Sequence, residues 1–516
     1  MKWFVALVLA LGCALWVFLR GPASVAPLPP DQRELVSVAC WFETDQRWPE
    51  QCFQLHVTDA GFEFELPLVV LPGRMASANS EALLYLSGGP GGSVFISSDD
   101  IDYWRGLQDR LNGPLDLVLV DRRGTGLSAP LLQCDFASRE YRRALSEDLN
   151  AFEESGRLFQ AYQWCFERQL AHGPDAQKVP LQTLGTRADA DDIQSLPALL
   201  GYEQWHLWGV SYGTRLAMQV ALDQPAGLTS LVLDSVYPPG FGKAEEWPGL
   251  MQMAMHRFFQ WCDNNACISD TDMNAETVFQ QALHHLSQSP RRLELPSWYG
   301  DAPFVLMAND QRFLQIVFGA IYDPYLWPDI GASVGDIYRG DSSPALRGLA
   351  ENFVNNAFDP SFSDLVFYAA ECKDNALSDP DAIDTAVQQH PRYQRYMEGL
   401  AQWDVCQLPL FESLRGSESM TLDNLARIEQ PVLLIAGEID PITPVEWLAP
   451  VRALLPRWQQ ALFANEGHAV VASSLCAEQL LAQFIRSSAG FLTNSDEKCT
   501  GESFVLSRAV DAFASP

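Results

Sequence analysis

Short continuous runs of apolar residues, each bounded by turn residues, recur along the chain. They lie at residues 82–86, 115–120, 205–208, 228–234 and 431–437, with a shorter run at 461–464. Runs of this length without alternation are typical of strands that are buried on both faces of a parallel sheet. Ahead of them, residues 53–57 and 62–66 alternate apolar and polar positions, which predicts an antiparallel edge hairpin.

Helical periodicity fills several of the gaps between these runs, at residues 138–170 and 186–200. The alternation of strand and helix predicts an α/β fold, with a mostly parallel sheet flanked by helices on both sides. From 241 to 428 this alternation stops, and helical stretches rich in aromatic residues and prolines replace it. The sequence therefore predicts core segments at 27–240 and 429–516, separated by a large, mainly helical insertion that is either a cap over the core or an independent domain.

The N-terminus has the composition of a targeting segment. Lys2 precedes an uncharged apolar run at residues 3–19, and Arg20 follows it. We expect residues 1–26 to be an export signal or a membrane anchor, because the run is nearly long enough to span a bilayer. Small residues at 24–26 favour cleavage, whereas Cys13 offers a site for lipid attachment. The three alternatives stay open at this stage.

The cysteine count also indicates an oxidising compartment. The chain has 11 cysteines, and setting Cys13 aside with the signal leaves an even number, which suits disulfides. The ten fall into couples that are near in sequence, namely Cys40 with Cys52, Cys134 with Cys165, Cys262 with Cys267, Cys372 with Cys406, and Cys476 with Cys499. Sequence alone leaves their connectivity open. No couple has metal-ligand spacing with histidines nearby.

Net charge narrows the range of partners. The chain carries 34 Lys and Arg against 65 Asp and Glu, a formal net charge of −31. Such a surface repels nucleic acid and anionic membranes, and it keeps the protein soluble. We therefore expect no nucleic-acid partner, and membrane contact only through an N-terminal anchor or lipid.

The apolar run at 205–208 leads into Gly-Val-Ser-Tyr-Gly at 209–213, and a helical run follows at once. Strand, Gly-x-Ser-x-Gly and helix form the nucleophile elbow of the α/β-hydrolase fold, in which the glycines permit a turn too tight for side chains. The motif predicts that Ser211 is a nucleophile held above the sheet. A chance match within a glycine-containing loop is the alternative.

Two further turns follow buried strands and supply supporting groups. The first, Ser-Gly-Gly-Pro-Gly-Gly-Ser at 87–93, lacks the Gly-Lys-Ser/Thr of a phosphate-binding loop. We predict instead an oxyanion hole, formed by the N–H groups of Gly89 and Tyr212. In the second turn, at 121–128, Asp121 and Arg123 are expected to brace the glycine-rich loop.

The remaining members of a catalytic triad are predicted from chain order. Asp440 and His468 each lie in a loop after a core strand, and the order Ser211, Asp440, His468 is the hydrolase order. Asp234 and Glu438 are rival acids, because each also follows a strand. The triad predicts acyl transfer through a covalent intermediate, without a metal or organic cofactor.

Four motifs together resemble the α/β-hydrolase serine peptidases that include proline iminopeptidase and bacterial tripeptidyl aminopeptidase. They are the segments at 87–93, 121–128, 209–217 and 437–444, and the resemblance extends over about 50–236 and 430–500. Ser87 departs from the histidine that many relatives of proline iminopeptidase have at this position. The cap resembles the family only loosely, and substrate preference is expected to lie there.

The resemblance implies an aminopeptidase that cleaves short peptides, and such an enzyme needs a carboxylate for the free α-ammonium group. Glu371 is our candidate, because an apolar stretch and a predicted disulfide at Cys372 surround it. Glu245 and Glu246 are rivals, and a solvated surface acid is the alternative interpretation. An esterase or lipase on the same scaffold, or an inactive binding protein, remain alternative functions.

Overall fold

A ten-stranded sheet forms the centre of the molecule. The computed structural model describes residues 32–75, 81–171, 178–300, 302–375, 378–412, 420–487, 492 and 504–508. Its strands are β1 (Gln32–Val38), β2 (Gln51–Asp59), β3 (Phe62–Leu71), β4 (Glu81–Leu86), β5 (Asp116–Val120), β6 (Leu170–Ala171), β7 (Val179–Pro180), β8 (Gln204–Val210), β9 (Leu228–Asp234), β10 (Arg291–Leu295), β11 (Phe304–Ala308), β12 (Val432–Gly437), β13 (Trp458–Phe463) and β14 (Phe504–Arg508). The predicted N-terminal signal lies outside the described residues.

Strand order explains how the two halves of the core come together. The order is β1-β2-β3-β5-β4-β8-β9-β12-β13-β14, and the six strands from β5 to β13 run parallel. Strands β1 to β3 and β14 are antiparallel additions at the two edges. The predicted hairpin is confirmed as β2 and β3, but β1 forms the edge. The insertion between β9 and β12 leaves these two strands paired.

The parallel strands are apolar throughout because both faces of the sheet are covered. Along β4, Ala82, Leu84 and Leu86 pack into one apolar cluster, whereas Leu83 packs into a second cluster on the other face. Each face therefore buries its own set of side chains, which removes the polar positions that a half-exposed strand would show.

The helices cover the sheet and build most of the insertion. They are α1 (Ile101–Leu111), α2 (Asp135–Leu145), α3 (Ala151–Gln169), α4 (Thr186–Leu200), α5 (Tyr212–Leu222), α6 (Trp247–Asn264), α7 (Ala275–Gln288), α8 (Asp310–Ala320), α9 (Trp327–Arg339), α10 (Pro344–Ala357), α11 (Asp364–Asp374), α12 (Pro380–Gln389), α13 (Leu448–Leu454), α14 (Val470–Ser473) and α15 (Leu475–Arg486). Short 3-10 turns connect several of them. None of the described helices is both long enough and apolar enough to cross a bilayer.

Different helices of the segment 241–428 pack into different apolar clusters. Helices α6 to α10, with the antiparallel pair β10 and β11, surround a third apolar cluster, to which Leu145 and Ile439 of the core also belong. Helix α11 instead packs Leu365, Val366 and Ala369 into the cluster beneath the sheet. This helix therefore lies against the core, and the Ser363 N–H just before it donates to the Gly91 carbonyl in the loop after β4 at 2.9 Å.

Four of the five predicted cysteine couples form disulfides in the structure. The bonds join Cys40 to Cys52, Cys134 to Cys165, Cys262 to Cys267, and Cys372 to Cys406. The fifth predicted couple includes Cys499, which lies outside the described residues. Four disulfides are typical of a protein from an oxidising compartment.

Candidate active site

Ser211 occupies a strained turn between β8 and α5. Its φ of 56° and ψ of −122° are rare for a residue with a side chain. The Ser211 N–H donates to the carbonyl of Asp234 at 2.9 Å, and the Ser211 carbonyl accepts from Thr214 N at 2.9 Å. These bonds fix the turn from the neighbouring strand and from the helix that follows.

The two glycines of the elbow are required by close backbone contacts. A Cβ added to Gly209 would lie 2.3 Å from the Gly213 carbonyl oxygen, and one added to Gly213 would lie 2.1 Å from the Leu86 oxygen. Real Cβ contacts are longer than 3.0 Å. Strand, turn and helix thus approach too closely for any side chain at either position.

The glycine-rich loop passes directly over the serine. A Cβ on Gly88 would lie 2.9 Å from Ser211 Cβ. Asp121 holds this loop, because its Oδ1 accepts hydrogen bonds from Ser93 Oγ at 2.9 Å and from Val94 N at 2.8 Å. The bracing role predicted for Asp121 is therefore confirmed.

The bracing role predicted for Arg123 is wrong, because its side chain faces the opposite way. The guanidinium is fully buried and pairs with Asp192 at 2.6 Å and with Asp59 at 2.5 Å, beside helix α4. Its hydrogen bonds within the described residues go to Asp192, Asp59 and the Thr183 carbonyl, and none goes to the glycine-rich loop. Arg123 instead ties α4 to β2 on the other side of the turn.

Its neighbour Arg122, which sequence reasoning missed, contacts the glycine-rich loop. One guanidinium nitrogen lies 3.3 Å from each of the carbonyl oxygens of Gly88 and Gly92. The guanidinium carbon also lies 5.1 Å from the centre of the Tyr212 ring. A single buried cation thus touches both segments from which the predicted oxyanion donors come. The sequence signal was the pair of adjacent arginines, of which only one can face this loop.

Asp440 and His468 are brought together at the carboxyl ends of β12 and β13. His468 Nδ1 lies 2.8 Å from Asp440 Oδ2. Asp440 Oδ1 accepts the N–H groups of Ile442 and Thr443, both at 2.9 Å, and Thr443 Oγ1 donates to Oδ2 at 2.7 Å. The acid is thereby held in one orientation, and with Nδ1 occupied, Nε2 is the ring nitrogen left for chemistry.

Neither of the two rival acids, Asp234 and Glu438, is hydrogen-bonded to His468. Asp234 is fully buried and accepts the N–H of Val470 at 3.0 Å and that of Val471 at 2.9 Å. It therefore anchors the start of α14, just after His468, without bonding to the imidazole. Glu438 is exposed at the end of β12.

The insertion also holds the histidine loop, through a residue that the sequence did not indicate. The His468 N–H donates to the Tyr322 carbonyl at 3.0 Å, and the two rings meet nearly edge to face, with centres 5.2 Å apart. A Cβ on Gly467 would lie 2.4 Å from the same carbonyl oxygen, so this approach requires glycine.

A cavity of about 460 Å³ opens above the elbow, between the core and the insertion. Five of the predicted site residues line it, namely Ser211, His468, Gly89, Tyr212 and Glu371. Its other walls are mainly aromatic and come from Tyr85, Tyr237, Trp247, Tyr322, Phe367 and Trp447. Neither Glu245 nor Glu246 lines this cavity.

Burial and neighbouring charges shift the pKa values of two site residues. Burial lowers the pKa of His468, but the adjacent Asp440 carboxylate outweighs burial, so the pKa lies above its ordinary value. Burial raises the pKa of Glu371, against the opposing effect of the Arg215 guanidinium and of hydrogen bonds from Tyr237 and Asn375.

The part of the chain that the structure describes contains no candidate metal site. No three histidine, cysteine, aspartate or glutamate side chains there are grouped closely enough to hold a metal ion. The site consists of a hydroxyl, an imidazole, carboxylates and backbone N–H groups.

Two family models match this chain. One, described as alpha/beta hydrolase fold, matches residues 81–315, and the other, described as TAP-like protein, matches residues 407–499. The chain has the α/β-hydrolase fold that the first model describes. The first match includes the elbow with Ser211, and the second includes Asp440 and His468, so this hydrolase carries its three candidate catalytic residues within the matched segments.

Curated relatives of the hydrolase are peptidases by name. The tripeptidyl aminopeptidase of Streptomyces lividans is 27% identical over 317 residues, which cover 58% of this chain and 54% of the relative. The serine protease Hip1 of Mycobacterium bovis is 25% identical over 286 residues, 52% of each chain. The hydrolase thus spans about half the length of the curated relatives that it matches.

Among solved structures, the proline iminopeptidase of Mycobacterium smegmatis is similar, with a TM-score of 0.39 and 17% identity. The similarity covers 82% of this chain and 94% of that one.

Proposed function

We propose that this hydrolase is a serine aminopeptidase that cleaves short peptides from a free N-terminus through an acyl-enzyme on Ser211. The peptidase names of two curated relatives support a peptide substrate. Two observations support the acyl-transfer chemistry: Asp440 is hydrogen-bonded to His468, and His468 lines the same cavity as Ser211.

In the first half of the reaction, His468 Nε2 takes the proton from Ser211 while Oγ attacks the carbonyl carbon of the scissile peptide bond. Asp440 holds the imidazole in the tautomer that presents Nε2 and stabilises its charged form. The N–H groups of Gly89 and Tyr212 receive the negative charge that develops on the carbonyl oxygen. A donor of this kind contributes about 3 to 4 kcal/mol to lowering the barrier.

In the second half, the charged His468 returns its proton to the leaving amine nitrogen as the C–N bond breaks. An ester then links the acyl group to Ser211. A water molecule, deprotonated by His468, attacks this ester and releases the new carboxylic acid, and Ser211 recovers its proton. Atoms and charge balance without a metal or cofactor.

The observation that carries the aminopeptidase proposal is the position of Glu371 in the wall of the Ser211 cavity. Its Oε2 accepts hydrogen bonds from Tyr237 at 2.9 Å and from Asn375 at 2.7 Å, so the carboxylate is held in place. The other carboxylate oxygen, Oε1, has no hydrogen bond to the described residues. An α-ammonium group of a peptide satisfies this oxygen with a charge-assisted hydrogen bond.

Acetylation of the substrate tests this proposal directly. We expect a short peptide with a free N-terminus to be cleaved at least tenfold faster, in kcat/KM, than its N-acetylated twin, because a hydrogen bond to a charged group contributes about 1.5 to 3 kcal/mol. Equal cleavage of both peptides would contradict the aminopeptidase proposal and leave a general serine hydrolase. Ser211→Ala should abolish both cleavage and labelling by a fluorophosphonate, while the protein stays folded.

A pair of acid variants assigns the effect to one carboxylate. Glu371→Gln should remove the preference for the free amine and leave the N-acetylated peptide unaffected. Glu246→Gln is the matched control, because Glu246 lies on the same insertion but outside the cavity. It should keep the preference of the unchanged protein.

An esterase on the same scaffold is the second candidate function, since fold and triad serve esters as well as amides. Hydrolysis of small acyl esters, with no release of amino acids from any peptide, would establish it. An inactive binding protein would show no labelling of Ser211 at all.

We also propose that the hydrolase is exported. The four disulfides favour an extracellular or periplasmic location, and the apolar run near the N-terminus is the predicted signal or anchor. Fractionation of the producing cells, followed by N-terminal sequencing, distinguishes a cleaved signal from an anchor or a lipid on Cys13.

A further inference from the structure

A second cavity, of about 300 Å³, adjoins the Ser211 cavity, and Glu371 lies in the wall between them. The residues that line both cavities are Gly242, Trp247, Phe367 and Glu371. Tyr237 lines only the Ser211 cavity and Asn375 lines only the second one, yet both donate to Glu371 Oε2. The carboxylate is therefore held from both sides of the partition.

The lining of the second cavity is largely apolar. Aromatic side chains of Trp247, Phe367, Tyr368 and Trp403 form much of it, and the disulfide between Cys372 and Cys406 forms part of the remainder. The charged residues in the wall, besides Glu371, are Lys243 and Asp404. Asp404 is engaged with its own loop, because its carboxylate accepts the Cys406 N–H at 2.9 Å.

We propose that the second cavity binds the side chain of the substrate's first residue, and that it favours a large aromatic or aliphatic side chain. This inference rests on the proposed binding of the substrate ammonium group by Glu371. The ammonium nitrogen and the side chain are bonded to the same carbon, about 1.5 Å from the nitrogen. An ammonium at Glu371 thus brings the side chain next to the wall that the two cavities share.

The chemistry of the lining determines which side chain is favoured. A large apolar side chain gains from leaving water for aromatic walls, and such burial corresponds to a preference of about ten- to a hundredfold over glycine. A lysine side chain would bring its charge into a mostly apolar space, at a cost in desolvation. First residues should rank phenylalanine and leucine first, then alanine, with lysine last.

A peptide series and one cavity-filling variant test the proposal. The peptides differ only in their first residue, which is phenylalanine, leucine, alanine or lysine. Ser155 on α3 lines the second cavity alone, so Ser155→Phe should reduce kcat/KM for the phenylalanine and leucine peptides at least tenfold. The alanine peptide should keep its rate, and it therefore also reports that the variant is folded.

Two further variants make the result specific. Ser138→Phe is the matched control, because Ser138 is exposed on α2 and lines none of the described cavities, and it should leave all four rates unchanged. Ser155→Leu adds a smaller side chain and should give a smaller loss, even if Ser155→Phe does not fold.

The proposal is overturned by equal rates for all four peptides, by a preference for lysine, or by an equal loss for alanine and phenylalanine peptides in both Ser155 variants. If the unchanged protein cleaves free and N-acetylated peptides with equal kcat/KM, the proposed function itself is contradicted. The two failures are thereby distinguished.

Discussion

Replacement of Asp440 by asparagine tests which of two buried acids near His468, Asp440 or Asp234, serves as the acid of the triad. In the structure, two backbone N–H groups, from Ile442 and Thr443, donate to Asp440 Oδ1. They require an acceptor at this position, so the carbonyl oxygen of an asparagine takes the place of Oδ1. Its NH₂ group then replaces Oδ2 and faces His468 Nδ1 as a donor.

This geometry forces the wrong tautomer on the imidazole. With a donor opposite Nδ1, the ring proton moves to Nε2, and Nε2 no longer accepts the proton of Ser211. The same substitution in a well-studied serine protease lowers kcat by about 10⁴, which corresponds to about 5 to 6 kcal/mol in barrier. We expect a loss of this size for Asp440→Asn, with little loss of stability, because the acceptor for both backbone N–H groups remains.

The matched variant Asp234→Asn should behave in the opposite way. Each oxygen of Asp234 accepts one N–H group, from Val470 or Val471. Whichever way the amide is turned, its NH₂ group faces an N–H donor, which costs about 1 to 3 kcal/mol in the free energy of unfolding. Activity should fall by no more than about 10², the cost of a small displacement of His468.

Two measurements check this pair of expectations. Hydrolysis of an activated ester gives kcat for each variant without reliance on any peptide preference, and urea unfolding gives the free energy of unfolding. If Asp234→Asn abolished turnover while unfolding normally, and Asp440→Asn stayed active, the assignment of the acid would be wrong.

Three further predictions concern the same elements. Because Asp440 raises the pKa of His468, the acidic limb of kcat/KM should have its midpoint above about 6.5, the ordinary value for histidine, and a midpoint below it would contradict the pairing. Gly213→Ala should destroy the elbow, since its Cβ would lie 2.1 Å from a carbonyl oxygen, whereas Gly348→Ala, in an open helical position, should be tolerated. Mass mapping without reductant should find the four described disulfides and a fifth between Cys476 and Cys499, each worth about 2 to 4 kcal/mol, and free thiols among these ten would refute it.

The core of the fold was predictable because its strands are buried on both faces. The run 228–234 coincides with β9, and the helix at 186–200 coincides with α4. The edge strand β1 was missed, because its residues Gln32–Val38 are mostly exposed or half-buried and include three charged or amide side chains. An edge strand depends on a partner, here β2, that local pattern does not reveal.

The candidate site divides in the same way. The proximity of Ser211, Asp440 and His468 was predictable, because each follows a core strand and parallel strands bring their carboxyl ends to one edge of the sheet. The choice between Arg122 and Arg123 depended on which way each side chain leaves a turn, and local sequence does not determine this direction. Tyr322 was not predictable, since its contact with the histidine loop joins segments far apart in the chain.

The contact between Tyr322 and His468 shows why the insertion matters for more than access. The histidine loop offers its N–H to a carbonyl of the insertion at 3.0 Å, and Gly467 is close enough to that carbonyl to exclude a side chain. A displacement of residues near Tyr322 therefore moves the proposed base as well as the wall of the cavity. The backbone hydrogen bond and the ring contact between Tyr322 and His468 thus link one wall of the cavity to the placement of the histidine. Sequence changes that displace the Tyr322 carbonyl should thus alter kcat together with KM, even where they touch no substrate.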